Sequence, residues 1–379
     1  MPVAPSHFAP ARFSTDEMLE DLRRLVEIES PSHDLDAIDR SAAAVNELIT
    51  RRLGTAPEIV ASAAGPHVHW RSRGEPRVLV LGHHDTVFPI GALASRPFAV
   101  SDGRVSGPGV FDMKGGIVLA VHAIAALDDP SGVELLFSAD EEVGSGASRS
   151  LIEERATACG AVLVLEPSAD GGALKIGRKG VGTFEVTVGG RAAHAGLEPE
   201  KGVNALVEAA RQVLDIAQLA DPGAGTTVTP TVATAGTAEN VVPAAARVLV
   251  DVRVTSMHEA ARIEAAMAQL RPYDAAATIG VSGRVNRPPM AVTSSTSLFD
   301  IAQKVAAETG LGPLDGVSVG GGSDGNFTAA IGVPTLDGLG VVGGGAHADH
   351  EWLDAGSLPE RAALLAGLVA AISAAAWPN

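Results

Sequence analysis

The sequence predicts an α/β protein, a mostly parallel sheet flanked by helices, interrupted by a smaller inserted α+β domain. Three observations carry this. Short runs of apolar β-formers, RVLVLG (77–82), VELLFSAD (133–140) and AVLVLEP (161–167), are separated by helical segments. That alternation builds parallel sheets covered on both faces. From residue 182 the pattern changes to alternating strands and strongly amphipathic helices, and after residue 285 the first style returns. The chain is therefore expected to form a discontinuous domain, 1–177 with 286–379, and an inserted one, 178–285.

Residues 15–29 have helical apolar spacing, with Ser14 or Thr15 as N-cap. GIVLAVHAIAAL (116–127) reads as an apolar helix between the first two strands. All three strands end in polar groups: His83, His84 and Asp85; Asp140, Glu141 and Glu142; and Glu166. Sites in such sheets form at the carboxyl ends of strands. GTFEVTVGG (182–190) alternates like a half-buried antiparallel strand, NALVEAARQVLDIAQLA (204–220) is an amphipathic helix, and the Gly/Thr-rich stretch 222–237 reads as a loop. ARVLVDVRV (246–254), the helix SMHEAARIEAAMAQL and TIGVSGRV (278–285) complete a β-α-β-β-α-β-like, ferredoxin-like pattern. A helix at 296–309, the loop VGGGSDG (319–325), strand-like PTLDGL and a helix at 357–376 resume the first style.

Composition narrows the function classes. Of 379 residues, 46% are hydrophobic, enough for a sizeable core. A formal net charge of −17 argues against nucleic-acid backbones and anionic membrane surfaces as partners. Cys159 is the single cysteine, which excludes an intrachain disulfide and a thiolate zinc cluster, so any metal is held by His, Asp and Glu. The N-terminus does not read as a signal peptide and no apolar run approaches a membrane span, so a soluble, cytoplasmic protein is expected.

Four segments concentrate chemistry: HHD (83–85), GPGVFDMKGG (107–116) with Asp112 in a glycine-rich turn, SADEEVGSG (138–146), and GGGAHADHEW (343–352). Adjacent histidines on an extended chain point in opposite directions, so at most one of His83 and His84 grips a metal. A His/carboxylate set without thiolates suits zinc, with cobalt or manganese as substitutes. GPGVFDMKGG and VGGGSDG lack the G-x-G-x-x-G spacing of a dinucleotide-binding turn, which removes a nucleotide-dependent oxidoreductase.

HHDTVF, GPGVFDMKGG, SADEEVGSG, LVLEP, GRAAHAG, ENVVP and GGGAHADHEW occur in an order and at spacings that resemble the M20 metallopeptidase family. The resemblance runs from about residue 15 to 375 and looks closest to the glutamate carboxypeptidase branch, with aminoacylases, acetylornithine deacetylases and succinyl-diaminopimelate desuccinylases as relatives. It implies a zinc-exopeptidase-like domain with an inserted lid and dimerisation domain. It also implies two zinc ions per subunit: His83 and Glu166 on one, Glu142 and His347 on the other, Asp112 bridging. Asp85 would orient His83, and Glu141 would be the general base. His194 would polarise the scissile carbonyl from the partner subunit of a homodimer. Asn240 and Arg253, with Gly322 and Ser323 opposite, would bind a small peptide or N-acyl amino acid. Arg253 has an alternative partner in Asp251, and His350 lies three residues beyond His347. The implied activity is cleavage of an amide beside a free carboxylate, by a carboxypeptidase or an N-acyl-amino-acid deacylase.

Overall fold

The strand Val78–His83 lies at the middle of the larger unit, all six residues buried. It pairs in parallel with Val133–Ser138 on one side and Val162–Val164 on the other. Thr335–Leu336 extends the parallel side, while His67–Arg71 and Glu58–Val60 add an antiparallel edge, giving the six-stranded order 58–60, 67–71, 133–138, 78–83, 162–164, 335–336. The computed structural model describes residues 8–374; the expected helix end at 375–376 lies outside them.

Alternate residues of the central strands feed two cores. Val80, Leu135, Phe137 and Leu163 face one that includes the helices Gly115–Ala125 and Ser357–Ala374. Leu79, Leu81, Leu136, Val162 and Val164 face another, closed by Ile152 and Ala156 of the helix Arg149–Cys159. This is the period-2 alternation of a sheet covered on both sides. Contrary to the expectation that no apolar run approaches a membrane span, Ser357–Ala374 is long and apolar enough to cross one by length and composition, yet 67% of its apolar window is buried, packed on Gly115–Ala125 and Thr296–Thr309. It is a core helix.

Several elements escape the sequence pattern. The helix Leu35–Leu53, capped by Asp34 accepting from Ala37 N–H, and the helix Arg149–Cys159 are additional. HVHWR reads as polar but forms a strand buried at its first four positions, because His67 and His69 find partners in Ala139 N–H and Glu134. Ser14, rather than Thr15, caps the first helix, Thr15–Val26.

The described residues form two compact units, the smaller one being Arg178–Pro289 with Gly320–Gly322. Its sheet is antiparallel throughout, in the order Thr227–Ala235, Ala245–Val254, Gly180–Gly189, Thr278–Arg287. The helices Ala205–Ala217 and Met257–Ala268 bury one face of it against Phe184, Val186, Val248, Val250 and Val252. The stretch 222–237, expected as a loop, instead contains the edge strand Thr227–Ala235. Threonines and Pro230 masked it. Proline has no N–H for a ladder and is tolerated at an edge, and the register shifts between Pro230 and Val232.

Candidate metal centre

Three adjacent parallel strands deliver polar residues to one end of the larger unit's sheet. His83 closes its strand, Glu141 and Glu142 follow Val133–Ser138, and Glu166 follows Val162–Val164. Asp112 sits in the turn before Gly115–Ala125, and His347 in a loop between Gly343–Gly344 and Trp352–Asp354. These six positions, scattered in sequence, converge. His83 Nε2 lies 3.4 Å from Asp112 Oδ1 and 3.6 Å from Glu166 Oε1. His347 Nε2 lies 3.3 Å from Asp112 Oδ2 and 3.0 Å from Glu142 Oε2. Donor atoms of His83, Asp112 and Glu142 fall within 4.8 Å of one another, as do those of His83, Glu141 and Glu166.

The adjacent histidines part company as an extended backbone requires. His83 turns into the cluster, its Nδ1 3.0 Å from the Asp85 carbonyl. A carbonyl only accepts, so Nδ1 carries a proton and the lone pair of a neutral ring lies on Nε2, facing carboxylates. His84 turns away, with Nδ1 3.1 Å from Ser41 Oγ and Nε2 3.0 Å from the Pro66 carbonyl. Burial pushes its pKa down to about 4.

Asp85 does more than orient an imidazole. Its carboxylate accepts from Ser32 Oγ at 2.7 Å and from the N–H groups of Glu141 and Glu142, both at 3.2 Å. The turn carrying both glutamates is thus pinned to the residue behind His83. Asp140 closes the same loop by accepting from Ala147 N–H at 2.7 Å, and Asp324 accepts from Ser138 Oγ at 3.1 Å and from Ser145 Oγ.

The electrostatics are those of an anionic pocket. Burial would depress His83, but Asp112, Asp85 and Glu166 outweigh it and raise its pKa well above the usual imidazole value. Hydrogen bonds to Asp112 and Glu142 carry His347 up to about 10. Burial raises Glu142, whereas burial of Asp112 is overcome by the two histidines, which lower it. His83 Nε2 and Glu142 Oε1 are buried without a hydrogen-bond partner. Orphaned buried polar atoms beside carboxylates are costly unless a bound cation completes the site. The donor set, His nitrogens and carboxylate oxygens, fits a divalent metal.

One contributor was missed. Glu351, 2% exposed, accepts from Gly109 N–H at 2.7 Å, Phe111 N–H at 3.0 Å and Asp112 N–H at 2.8 Å. Burial pushes its carboxyl up to about 7. It lies inside GGGAHADHEW, so its segment was marked but its role depends on backbone geometry. Lys114, from the Asp112 motif, is buried and donates to the Ile28 carbonyl at 2.6 Å.

The remaining expected residues are placed as follows. Ser323 is fully buried, its hydroxyl donated to Asp337 Oδ2 at 2.6 Å and its N–H to Asn326 Oδ1 at 2.8 Å, so both polar groups are committed within the fold. In the smaller unit, the Gly322 carbonyl accepts from Arg178 at 3.4 Å. Arg253 forms a fork on Asp251, at 2.9 and 2.8 Å. The Asn240 carbonyl accepts from Ala195 N–H, and exposed His194 accepts at Nδ1 from the N–H groups of Gly196 and Leu197, both at 3.1 Å.

Residues 79–371 match the family described as Peptidase family M20/M25/M40. The chain belongs to this family. Carboxypeptidase G2 of Pseudomonas sp. (strain RS-16) is 34% identical, covering 94% of this chain and 90% of that protein. A succinyl-diaminopimelate desuccinylase of Acidiphilium cryptum is 34% identical over 73% of this chain and 78% of its own. Among solved structures, an M20 family metallo-carboxypeptidase of Sulfolobus solfataricus superposes with a TM-score of 0.74 at 16% identity, covering 93% of this chain and 98% of that one. Aminopeptidase PepT of Bacillus cereus superposes with 0.74 at 19% identity, covering 95% and 99%. The protein is thus an M20 hydrolase of the metallopeptidase and amidohydrolase class, and the family is metal-dependent.

Proposed function

We propose that this M20 hydrolase is a dinuclear zinc amidohydrolase acting as a carboxypeptidase, releasing a C-terminal amino acid such as glutamate. The carrying observation is the sharing of Asp112, with Oδ1 toward His83 and Oδ2 toward His347, each within 3.4 Å. Each oxygen faces a different donor set, the arrangement a bridging carboxylate needs. His83 with Glu166 would hold one cation and Glu142 with His347 the other; cobalt or manganese would fit the same donors. A bound pair supplies acidification of a water and polarisation of the substrate carbonyl.

The chain's own residues supply the rest. Asp85 and its carbonyl hold His83 with the Nε2 lone pair inward, and the Asp85 carboxylate fixes the Glu141 backbone. Glu141 takes the proton of the attacking water and returns it to the departing amine. His194 accepts two N–H groups at Nδ1, so its proton sits on Nε2, a donor suited to the scissile carbonyl. We infer that it acts from the partner subunit of a cytoplasmic homodimer, with Asn240, Gly322 and Arg253 on the substrate. Carboxypeptidase G2, 34% identical over 94% of this chain, supports the carboxypeptidase reading. The desuccinylase relative supports a second, an N-acyl-amino-acid deacylase with the same machinery.

A screen of C-terminal glutamyl peptides, N-acyl glutamates and N-succinyl diamino acids against zinc- and cobalt-loaded protein, scored by released amine, tests the reading. Preferred release of C-terminal glutamate is expected. Preference for N-succinyl substrates would select the deacylase, and no turnover by fully loaded protein would remove both.

A further inference from the structure

We propose that Glu351 is a positioning residue, setting the bridging carboxylate of Asp112 and tying it to the His347 loop. The inference rests on the dinuclear reading and deepens it.

Glu351 belongs to the loop between Gly343–Gly344 and Trp352–Asp354, whose antiparallel pairing brings the two loop ends together. Within it, Ala348 N–H donates to the Gly345 carbonyl and Glu351 N–H to the Ala348 carbonyl. Gly345 has φ +76, and a Cβ there would lie 3.0 Å from the His350 carbonyl oxygen, so the turn needs glycine. One tight loop therefore carries two groups that reach Asp112 by different routes. His347 meets its side chain at 3.3 Å, while Glu351 meets its backbone N–H at 2.8 Å.

The Glu351 carboxylate is turned to the backbone of the 109–112 turn. Its two oxygens receive three N–H groups, from Gly109, Phe111 and Asp112. A carboxylate receiving three amide donors fixes the curvature of the 109–112 turn. Gly109 itself has φ +76, and a Cβ there would lie 2.8 Å from a Thr86 methyl, so this turn also needs glycine. Asp112 must offer both oxygens to two donor sets at once, and a small rotation of its backbone would surrender one of them. Outer groups that orient ligands govern affinity by about 10- to 100-fold.

The test compares wild type, E351Q, E351D and H350A. Dissociation constants come from competition with a chromophoric chelator, the cobalt visible spectrum reports ligand geometry, and kcat is separated from KM. Melting of the metal-free proteins tests folding. E351Q is expected to bind cobalt about 10- to 100-fold more weakly, with an altered spectrum and kcat falling more than KM rises. E351D, which keeps the anion, should recover part of this, and H350A, an exposed neighbour in the same loop, should match wild type. A folded E351Q with wild-type affinity and spectrum overturns the proposal. If E351Q does not fold, an unchanged spectrum in E351D overturns it equally. A wild-type protein that takes up no cation pair would instead sink the dinuclear reading, and this inference with it.

Discussion

Two buried acidic clusters in the larger unit solve the same problem in opposite ways. Asp21 is 3% exposed and meets Arg51, Arg52 at 2.8 Å and His122 at 2.9 Å. Burial favours its neutral form, but His122 and Arg52 prevail and its pKa is lowered. Asp112 and Glu142 meet His83 and His347, and the outcome is uneven: Asp112 is lowered, Glu142 raised and His347 lifted to about 10. Arg51 and Arg52, permanent cations built into the chain, stand beside His122 and make the first cluster structural. In the second, titratable bases stand where a stronger positive charge belongs, and two buried polar atoms, His83 Nε2 and Glu142 Oε1, stay orphaned. The difference marks which carboxylates are held in reserve for a ligand.

The largest expected effects break the second cluster. Asp112→Ala should lose both bound metal and turnover, because it removes the group shared between two donor sets. Glu141→Gln should keep its metal and lose about 10²- to 10⁴-fold in kcat, the usual contribution of a general base. Elemental analysis beside steady-state kinetics separates the two, and an active Glu141→Gln protein would refute the base assignment. Chelation should lower the melting temperature of wild type, since a ligand at 100 times its dissociation constant stabilises by about 2.7 kcal/mol. Asp112→Ala should not respond to the chelator.

The first cluster gives a smaller effect with a different pH signature. Asp21→Asn should cost about 2 kcal/mol at neutral pH and leave metal content unchanged. The sign follows from the lowered pKa: Asp21's contribution is present above its ordinary value of 3.8 and lost as pH falls through the lower folded value. Urea midpoints of wild type and variant should therefore differ most at neutral pH and converge below 3.8. A gap constant down to strongly acidic pH would show that packing, and not the ion pairs, sets the cost.

How much of this was legible depends on what each feature needs. His83, Glu142 and Glu166 were visible because apolar strands ending in chemistry-bearing residues mark the carboxyl end of a parallel sheet, and a family resemblance then ordered them. His67–Arg71 was not, since its histidines are buried by partners 65 and 72 residues away, Glu134 and Ala139. Thr227–Ala235 hid behind threonines and a proline that only an edge strand accepts. Glu351 and Ser323 show the same limit from two sides. One acts through backbone N–H groups and the other has its hydroxyl consumed by Asp337, and neither commitment leaves a pattern in residue types.

The smallest expected effect lies in the smaller unit, whose ion pairs resemble the first cluster in form and differ in exposure. Arg253 and Asp251 have side chains 31% and 33% exposed, on alternate positions of one strand. Exposed pairs contribute about 0 to 1 kcal/mol, so Arg253→Ala should leave the urea midpoint nearly unchanged. If the guanidinium is instead kept for a substrate carboxylate, the same variant should raise KM about tenfold or more, a charge-assisted fork contributing on the order of 1.5–3 kcal/mol, with kcat little altered. Asp251→Asn sharpens the test by freeing the arginine without removing it: KM should fall or hold. An unchanged KM in Arg253→Ala would make this pair as purely structural as Asp21 and its arginines.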